Sequence, residues 1–241
     1  MQVNEYLAKN RETWKRKPAI REIYADIYRR VAAACVEGTT FEVGGGIGNF
    51  KSFAPHVISS DIQFAPWLDL VASGENLPLA DAGLDNLVVI DALHHMERPW
   101  RVFQEAERTL RAGGRLIIIE PAITTGSWLF YKVHPESFNM SADPFADVSG
   151  DAGSSPYDAN QGVATLFLVR HRDRLEKEFP GLRLTILDWF RFFSFPLSGV
   201  FKPWSLIPGW AMPRLLAIED LFEKPLGRLL GFRMIAVLER L

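Results

Sequence analysis

Four groups of residues in this chain have the types and spacing to do chemistry. Phe41-Glu42-Val43-Gly44-Gly45-Gly46-Ile47-Gly48 runs from an apolar stretch into a glycine cluster, where a strand can turn sharply into a helix and bring bare backbone close to a ligand. A dinucleotide fingerprint GxGxxG would need its third glycine at position 49, which is Asn49; the pattern fits instead GxGxG preceded by an acid, Glu42. Asp61 falls 17 residues after Gly44, at the end of a second apolar run, where a carboxylate can take both hydroxyls of a ribose. His94 and His95 follow a further apolar run and Asp91, and His134-Pro135-Glu136 puts an acid and a base on one rigid turn. A histidine near its ordinary pKa can take a proton from a hydroxyl or an amine.

Each group also has a plainer reading. Glycines at a turn can be structural, Asp61 can cap the next helix, the histidine pair can simply begin a loop, and ionisable loop residues are usually solvated. For His95, lining a pocket comes ahead of acting as a base. Taken jointly, the glycine cluster and Asp61 favour a site, whereas Asp85 reads as structural. No Ser/His/Asp nucleophile set, helically spaced carboxylate pair or His/Cys cluster competes, and no metal is expected.

Hydrophobic period gives the elements that must position these residues. Residues 3–36 read as two helices broken at Pro18, the second with a stripe of Ile20, Ile23, Tyr24, Ile27, Tyr28 and Val31. Lys9, Arg11, Lys15, Arg16, Lys17, Arg21, Arg29 and Arg30 among them read as a solvated face. Strands are expected at Thr40–Val43, His56–Asp61, Leu68–Ala72, Leu84–Ile90 and Arg115–Ile119, with helical stretches between them. A helix from Trp100 through Leu110 stops at Ala112-Gly113-Gly114. That alternation implies a parallel, doubly wound sheet, with ligands at the carboxyl ends of its strands. Residues 122–157 read as a lid-like loop, with Tyr131, His134, Glu136 and Tyr157 as its candidate site residues. Asp158 is placed to cap a helix running to about Phe179. Leu182–Phe195 and Phe232–Leu238 read as strands, and Pro196–Gly231 as short helical pieces broken by prolines.

The 241 residues are 48% hydrophobic with a net charge of −2, enough for one domain with a full core and without the basic excess that dominates nucleic-acid binding. The single cysteine, Cys35, cannot form an internal disulfide, and there is neither a signal-peptide pattern nor an 18-residue apolar run. A cytoplasmic location is expected. The domain divides into N-terminal helices (1–37), a cofactor-binding core (38–121), a lid and helix (122–181), and C-terminal strands with inserted helices (182–241).

Glu42–Gly48, Asp61, Gly74-Glu75-Asn76-Leu77-Pro78-Leu79, Leu84-Asp85, Asp91-Ala92-Leu93-His94-His95 and Leu110–Leu116 occur in the order found in class I S-adenosylmethionine-dependent methyltransferases of the small-molecule "type 11" group, which residues 38–121 resemble. The resemblance implies an α/β, Rossmann-like sheet of seven strands, the last antiparallel and set beside the fifth. It also implies S-adenosylmethionine as cofactor, with S-adenosylhomocysteine as product. Gly44, Gly46 and Gly48 would make room for its methionine part, Glu42 would face its amino group, and Asp61 would hold the ribose with Ile62 packing on the adenine. Asp91 and Ala92 would line the methionyl and sulfonium region. The family usually has an Asp where Ser73 stands; here the shorter, neutral Ser73 would take the adenine contact, with Gly74 or Glu75 sharing it.

Transfer from a sulfonium needs an acceptor held in line and water excluded, and a base only if the acceptor must first lose a proton. His95, His94 and His134 are the candidates for that base. The acceptor is expected to be a small organic molecule, with oxygen ahead of carbon or nitrogen as the methylated atom. It is chosen by the aromatic remainder: Trp189, Phe190, Phe192, Phe193, Phe195, Phe201, Trp204, Leu206, Ile207 and Trp210. These read first as core, and second as an apolar acceptor tunnel or a membrane-surface contact. A non-catalytic protein with this fold and an NAD-dependent oxidoreductase are the alternatives. The sequence does not fix the oligomeric state.

Overall fold

The computed structural model describes residues 4–134, 136–146 and 159–241. The chain begins with α1 (Glu5–Arg16), whose first turn is closed by the Asn4 side chain accepting from the Tyr6 N–H at 2.8 Å. Pro18, at the first position of α2 (Pro18–Ala34), starts a new helix at a place where no N–H is needed. The apolar stripe of α2 packs on one face of the central sheet, against Val88, Ile90, Ile117 and Ile119. Two of the basic residues expected on a solvated face are not solvated. Lys17 is buried and donates to the Val200 and Lys202 carbonyls at 2.5 and 2.8 Å, and Arg30 is paired with Asp26, Asp220 and Glu223. Long-range acceptors hold them there, which spacing along the chain does not encode.

The sheet has seven strands in the order β3-β2-β1-β4-β5-β7-β6, with β7 antiparallel to both neighbours, as the resemblance implies. The strands are β1 (Thr40–Val43), β2 (Ile58–Asp61), β3 (Leu70–Val71), β4 (Leu84–Ile90), β5 (Leu110–Pro121), β6 (Leu182–Phe190) and β7 (Arg233–Arg240). Every residue of β1 and β4 is buried, because both faces of the sheet centre are covered. The register pairs Val43 with Ser60 and Val89, and Ile90 with Ile119, so the strand ends carrying Gly44, Asp61, Asp91 and Glu120 open on one edge.

Helices complete the layers. Short α3 (Asn49–Phe53) follows the glycine turn, and α4 (Trp100–Thr109) packs Val102, Phe103 and Ala106 on the face opposite α2. Among the described residues no helix lies between β2 and β3 or between β3 and β4, where helical stretches were expected. Helix α4 ends at Thr109, not at Ala112–Gly114: Leu110 already pairs with Leu84, so strand pairing overrides the glycine stop signal.

Residues 122–157 are not wholly a loop. Thr124 accepts from the Ser127 N–H and caps α5 (Thr125–Val133), and the Tyr131 hydroxyl donates to the Phe232 carbonyl at 3.0 Å. Beyond the gap, a turn of helix α6 (Val163–Thr165) passes through a π-helical turn, Leu166–Arg170, into α7 (Arg172–Glu178). Tyr157 and the cap Asp158 lie outside the described residues, as do Pro135 and 147–156.

β6 stops at Phe190 rather than Phe195 because Arg191, at φ +54°, turns the chain into α8 (Ser194–Ser198). The expected proline-broken pieces include one 19-residue helix, α9 (Met212–Leu230), with Pro213 in its first turn and Pro225 inside. Tertiary anchors outweigh the lost hydrogen bond. Buried Glu219 accepts from the Ser194 N–H and hydroxyl at 2.7 and 2.6 Å, and Gly227 lies against the Trp189 backbone.

Candidate functional site

A cavity of about 930 Å³ opens at the carboxyl ends of the strands. Gly44, Gly46 and Gly48 all have positive φ, at +73°, +47° and +75°, so the turn after β1 is a backbone shape that side chains resist. Their roles differ. A Cβ at Gly44 would collide with Ala92, and one at Gly48 would meet Trp67 at 2.6 Å; at Gly46 it would make only ordinary van der Waals contact, with the Gly44 carbonyl and Leu7. Gly44, Gly45 and Gly46 line the cavity, and Gly48 does not. Gly48 instead lets the Trp67 indole approach and donate to the Gly46 carbonyl at 2.9 Å, which is a structural task.

Carboxylates flank this turn. Glu42 is buried, accepts from the Ser59 hydroxyl, and is pushed by burial up to about 7. Asp61 accepts from the Gly46 N–H at 3.0 Å and the Gln63 N–H at 2.8 Å, fixing its carboxylate at the tip of β2; burial raises its pKa against those bonds. Ile62 beside it is 62% exposed and lines the cavity with its apolar side. Ser73, Gly74 and Glu75 form the next wall. The Ser73 hydroxyl accepts from the Glu75 N–H at 3.2 Å, while Glu75 itself accepts from the Arg98 N–H at 3.0 Å.

The loop after β4 is built on a residue that the sequence marks only as the end of a strand. Glu120 is fully buried, accepting from the Ala92 and Leu93 N–H groups at 2.9 and 2.7 Å with one oxygen and meeting His94 Nδ1 at 2.5 Å with the other. Burial opposes a charge on His94, but Glu120, with Asp91 and Glu136 adding to it, outweighs burial, so the pKa of His94 is raised. His95, its ring tilted by 39° to that of His94 with centroids 4.2 Å apart, is lowered to about 4 by burial and by that neighbour, and its Nδ1 is buried without a partner. The two histidines therefore depart from ordinary values in opposite directions, where a histidine near its ordinary pKa was the expected form of a base and pocket lining came first for His95.

Glu136 joins them: ligand atoms of His94, His95 and Glu136 lie within 4.8 Å of one another, a grouping that only the fold creates. The cluster has the donor types for a cation. With two imidazoles of differing basicity and a carboxylate side by side, it is also suited to a polar group of a bound molecule. Gln161 holds Glu136 at 2.5 Å, and His134 Nδ1 accepts from the Glu136 N–H at 3.2 Å at the cavity wall.

Asp91, at φ +54°, is ion-paired with buried Arg233 and accepts from the Tyr24 hydroxyl at 2.7 Å. Arg233 and Tyr24 have no motif in the sequence, yet both line the cavity and decide how much of the Asp91 charge faces it. The cover is also unexpected. Leu7 and Asn10 of α1, with Phe201 and Trp204, line the cavity beside the lid residues Tyr131, His134 and Glu136, and the Lys17 clamp ties the two new pieces together. Of the aromatic remainder, Phe190, Phe192 and Phe195 are buried, while Phe193, Trp204, Leu206 and Trp210 are exposed.

Comparison with known proteins follows the same outline. A family model described as a methyltransferase domain matches residues 47–118. The chain is 43% identical over 47 residues to 27-O-demethylrifamycin SV methyltransferase of Amycolatopsis mediterranei (strain S699), covering 20% of this chain and 17% of that protein. It is 31% identical over 90 residues to an uncharacterized protein of Methanocaldococcus jannaschii, covering 34% and 44%. The chain thus spans less than half the length of the curated relatives it matches. Solved structures of SAM-dependent methyltransferases from Thermotoga maritima (TM-score 0.54, 15% identity, 92% of each chain) and Archaeoglobus fulgidus (TM-score 0.55, 14% identity, 92% and 94%) share its fold.

Proposed function

We propose, from the premise that this chain has the fold of the class I S-adenosylmethionine-dependent methyltransferases, that it moves a methyl group from S-adenosylmethionine to a small organic acceptor. The observation that carries the reading is the conjunction of an uncrowded Gly46 backbone, Asp61 fixed at the tip of β2 and buried Glu42 around one cavity. These residues fit the cofactor. Asp61 retains lone pairs for a ribose, Glu42 gains most from a neighbouring ammonium group, and Ile62 offers an apolar plane for the adenine beside Ser73, Gly74 and Glu75. When bound, the cofactor supplies a methyl group already activated on a sulfonium. Ala92 and the Arg233-paired Asp91 line the part of the cavity assigned to it.

The acceptor is assigned to the side bounded by His94, His95, His134 and Glu136. There His94, held by Glu120, donates; His95 accepts; and Glu136 can receive a proton from a hydroxyl as the oxygen is methylated. His95 serves as an orienting acceptor rather than a strong base. Tyr131, Phe130 and Trp204 restrict water. Oxygen remains the first choice for the methylated atom, and the apolar walls favour an apolar or amphipathic acceptor.

Calorimetric titration with S-adenosylhomocysteine and, separately, with NAD tests the reading. Binding of S-adenosylhomocysteine alone is the expected result. Binding of NAD alone would make the chain an oxidoreductase, and binding of neither would leave a methyltransferase fold used as a scaffold.

A further inference from the structure

Helix α9 has two faces of opposite character. Its inner stripe of Met212, Leu216, Glu219 and Gly227 is buried. Ile218, Leu221, Phe222 and Leu229 recur at i, i+3, i+4 and i+11 on the other side and are all exposed, Leu221 by 76%. The charges divide in the same way. Glu219, Asp220 and Glu223 are held by buried Arg191, and the last two also by Arg30. Arg214, Lys224 and Arg228 are exposed, and at about 100° per residue they fall within or beside the apolar stripe.

The surface extends beyond one helix. α5 packs on α9 and exposes Trp128, Leu129 and Val133, with Lys132 Nζ 4.5 Å from the Trp128 ring. Trp204, Leu206 and Trp210 stand exposed in the segment that leads into α9. Val133 and Trp204 line the cavity as well.

We propose that the outer face of α9, with α5 and residues 204–210, lies on an anionic membrane surface, and that the cavity takes an amphipathic acceptor from that bilayer. The first half stands on the surface alone; the second rests on the methyl-transfer reading. An apolar stripe bordered by arginine and lysine, with Glu219 buried, Glu223 largely covered and the half-exposed Asp220 neutralised by Arg30 and Arg191, is complementary to a headgroup layer carrying negative charge. Exposed tryptophans suit the same boundary. A second copy is the less favoured occupant, because a two-fold interface on this face would bring like charges together. Among the described residues no helix is long and apolar enough to cross a membrane, so the contact is one of lying on the surface.

Sedimentation of the full chain with phosphatidylcholine vesicles, and with vesicles containing about one-third phosphatidylglycerol, tests this. The expected result is binding to the anionic vesicles that weakens in salt and falls at least about tenfold in a Leu221→Glu/Leu229→Glu variant and in Lys224→Glu. Unchanged affinity of those variants for S-adenosylhomocysteine establishes that they are folded. No binding to either vesicle, or equal binding by the variants, overturns the proposal. So does a dimer, by light scattering, that Leu221→Glu dissociates. Vesicle binding by a chain that fails to bind S-adenosylhomocysteine keeps the surface and removes the bilayer acceptor.

Discussion

At the scale of single residues, the carboxylates around the glycine turn set the most direct expectations. Asp61→Ala should leave a folded chain that binds S-adenosylhomocysteine more weakly, by about 1.5–3 kcal/mol for each charge-assisted bond lost and less where water substitutes, as read by calorimetry. Glu42 carries a pH dependence. Its folded value of about 7 lies above the ordinary 4.5 because the ionised form is buried. As pH rises from 4.5 to 7 the unfolded chain releases this proton and the folded chain keeps it, so this group's contribution to stability falls across that window and then levels. A ligand bearing an ammonium group prefers the ionised carboxylate. Affinity for S-adenosylhomocysteine should therefore rise as pH is raised through 7, and Glu42→Gln should flatten that rise. Ser73→Asp tests the adenine contact: binding at least as tight as in the native chain is expected, and a clear loss would mean that the wall is built around a neutral group.

At the scale of elements, the buried Arg191 guanidinium joins three of them. It follows β6, meets Asp26 of α2 at 2.8 Å, and meets Glu219, Asp220 and Glu223 of α9. Removing it takes from Glu219 its ion-pair partner and leaves Asp26, Asp220 and Glu223 to Arg30, with Arg29 also beside Asp26. Arg191→Met should cost about 3–5 kcal/mol, measured by denaturant unfolding, with α9 losing protection from hydrogen exchange before the β4–β5 centre. Prolines at 213 and 225 argue locally against a continuous α9, so the sequence divides it into short pieces, and only the partners of Glu219 and Gly227 overrule them. The capping residues of α5, Thr124 and Ser127, lie in a stretch whose Ser, Asp and Gly content suggests a loop.

At the scale of the whole molecule, cover for the cavity comes from three distant pieces of chain: α1, residues 199–204, and the segment from α5 to Glu136. Saturation with S-adenosylhomocysteine at about 100 times its dissociation constant should raise stability by about 2.7 kcal/mol. The same ligand should slow proteolytic cleavage at both α1 and residues 199–204, whereas protection of only one would separate the two and locate the moving cover.

What the sequence by itself determined lies where function constrains short stretches of backbone. The glycine turn, the carboxylate at the tip of β2 and the Asp91–His95 loop are local motifs, and the two helices and alternating strands follow from hydrophobic period. The ordered resemblance added the place of the antiparallel last strand, a fact of pairing that periodicity does not carry. Only the tertiary structure decided that Gly48 accommodates Trp67 rather than the cavity, that Glu120 holds His94, and that Glu136 reaches both histidines. It also decided that Arg233 meets Asp91 and that Lys17 closes onto residues 200–202. The Arg233 and Lys17 contacts span 142 to 185 positions, and the Glu120 and Trp67 ones still bridge separate elements. A hydrogen bond or an ion pair depends on where atoms meet in space, and no periodicity along a chain encodes a meeting of that kind.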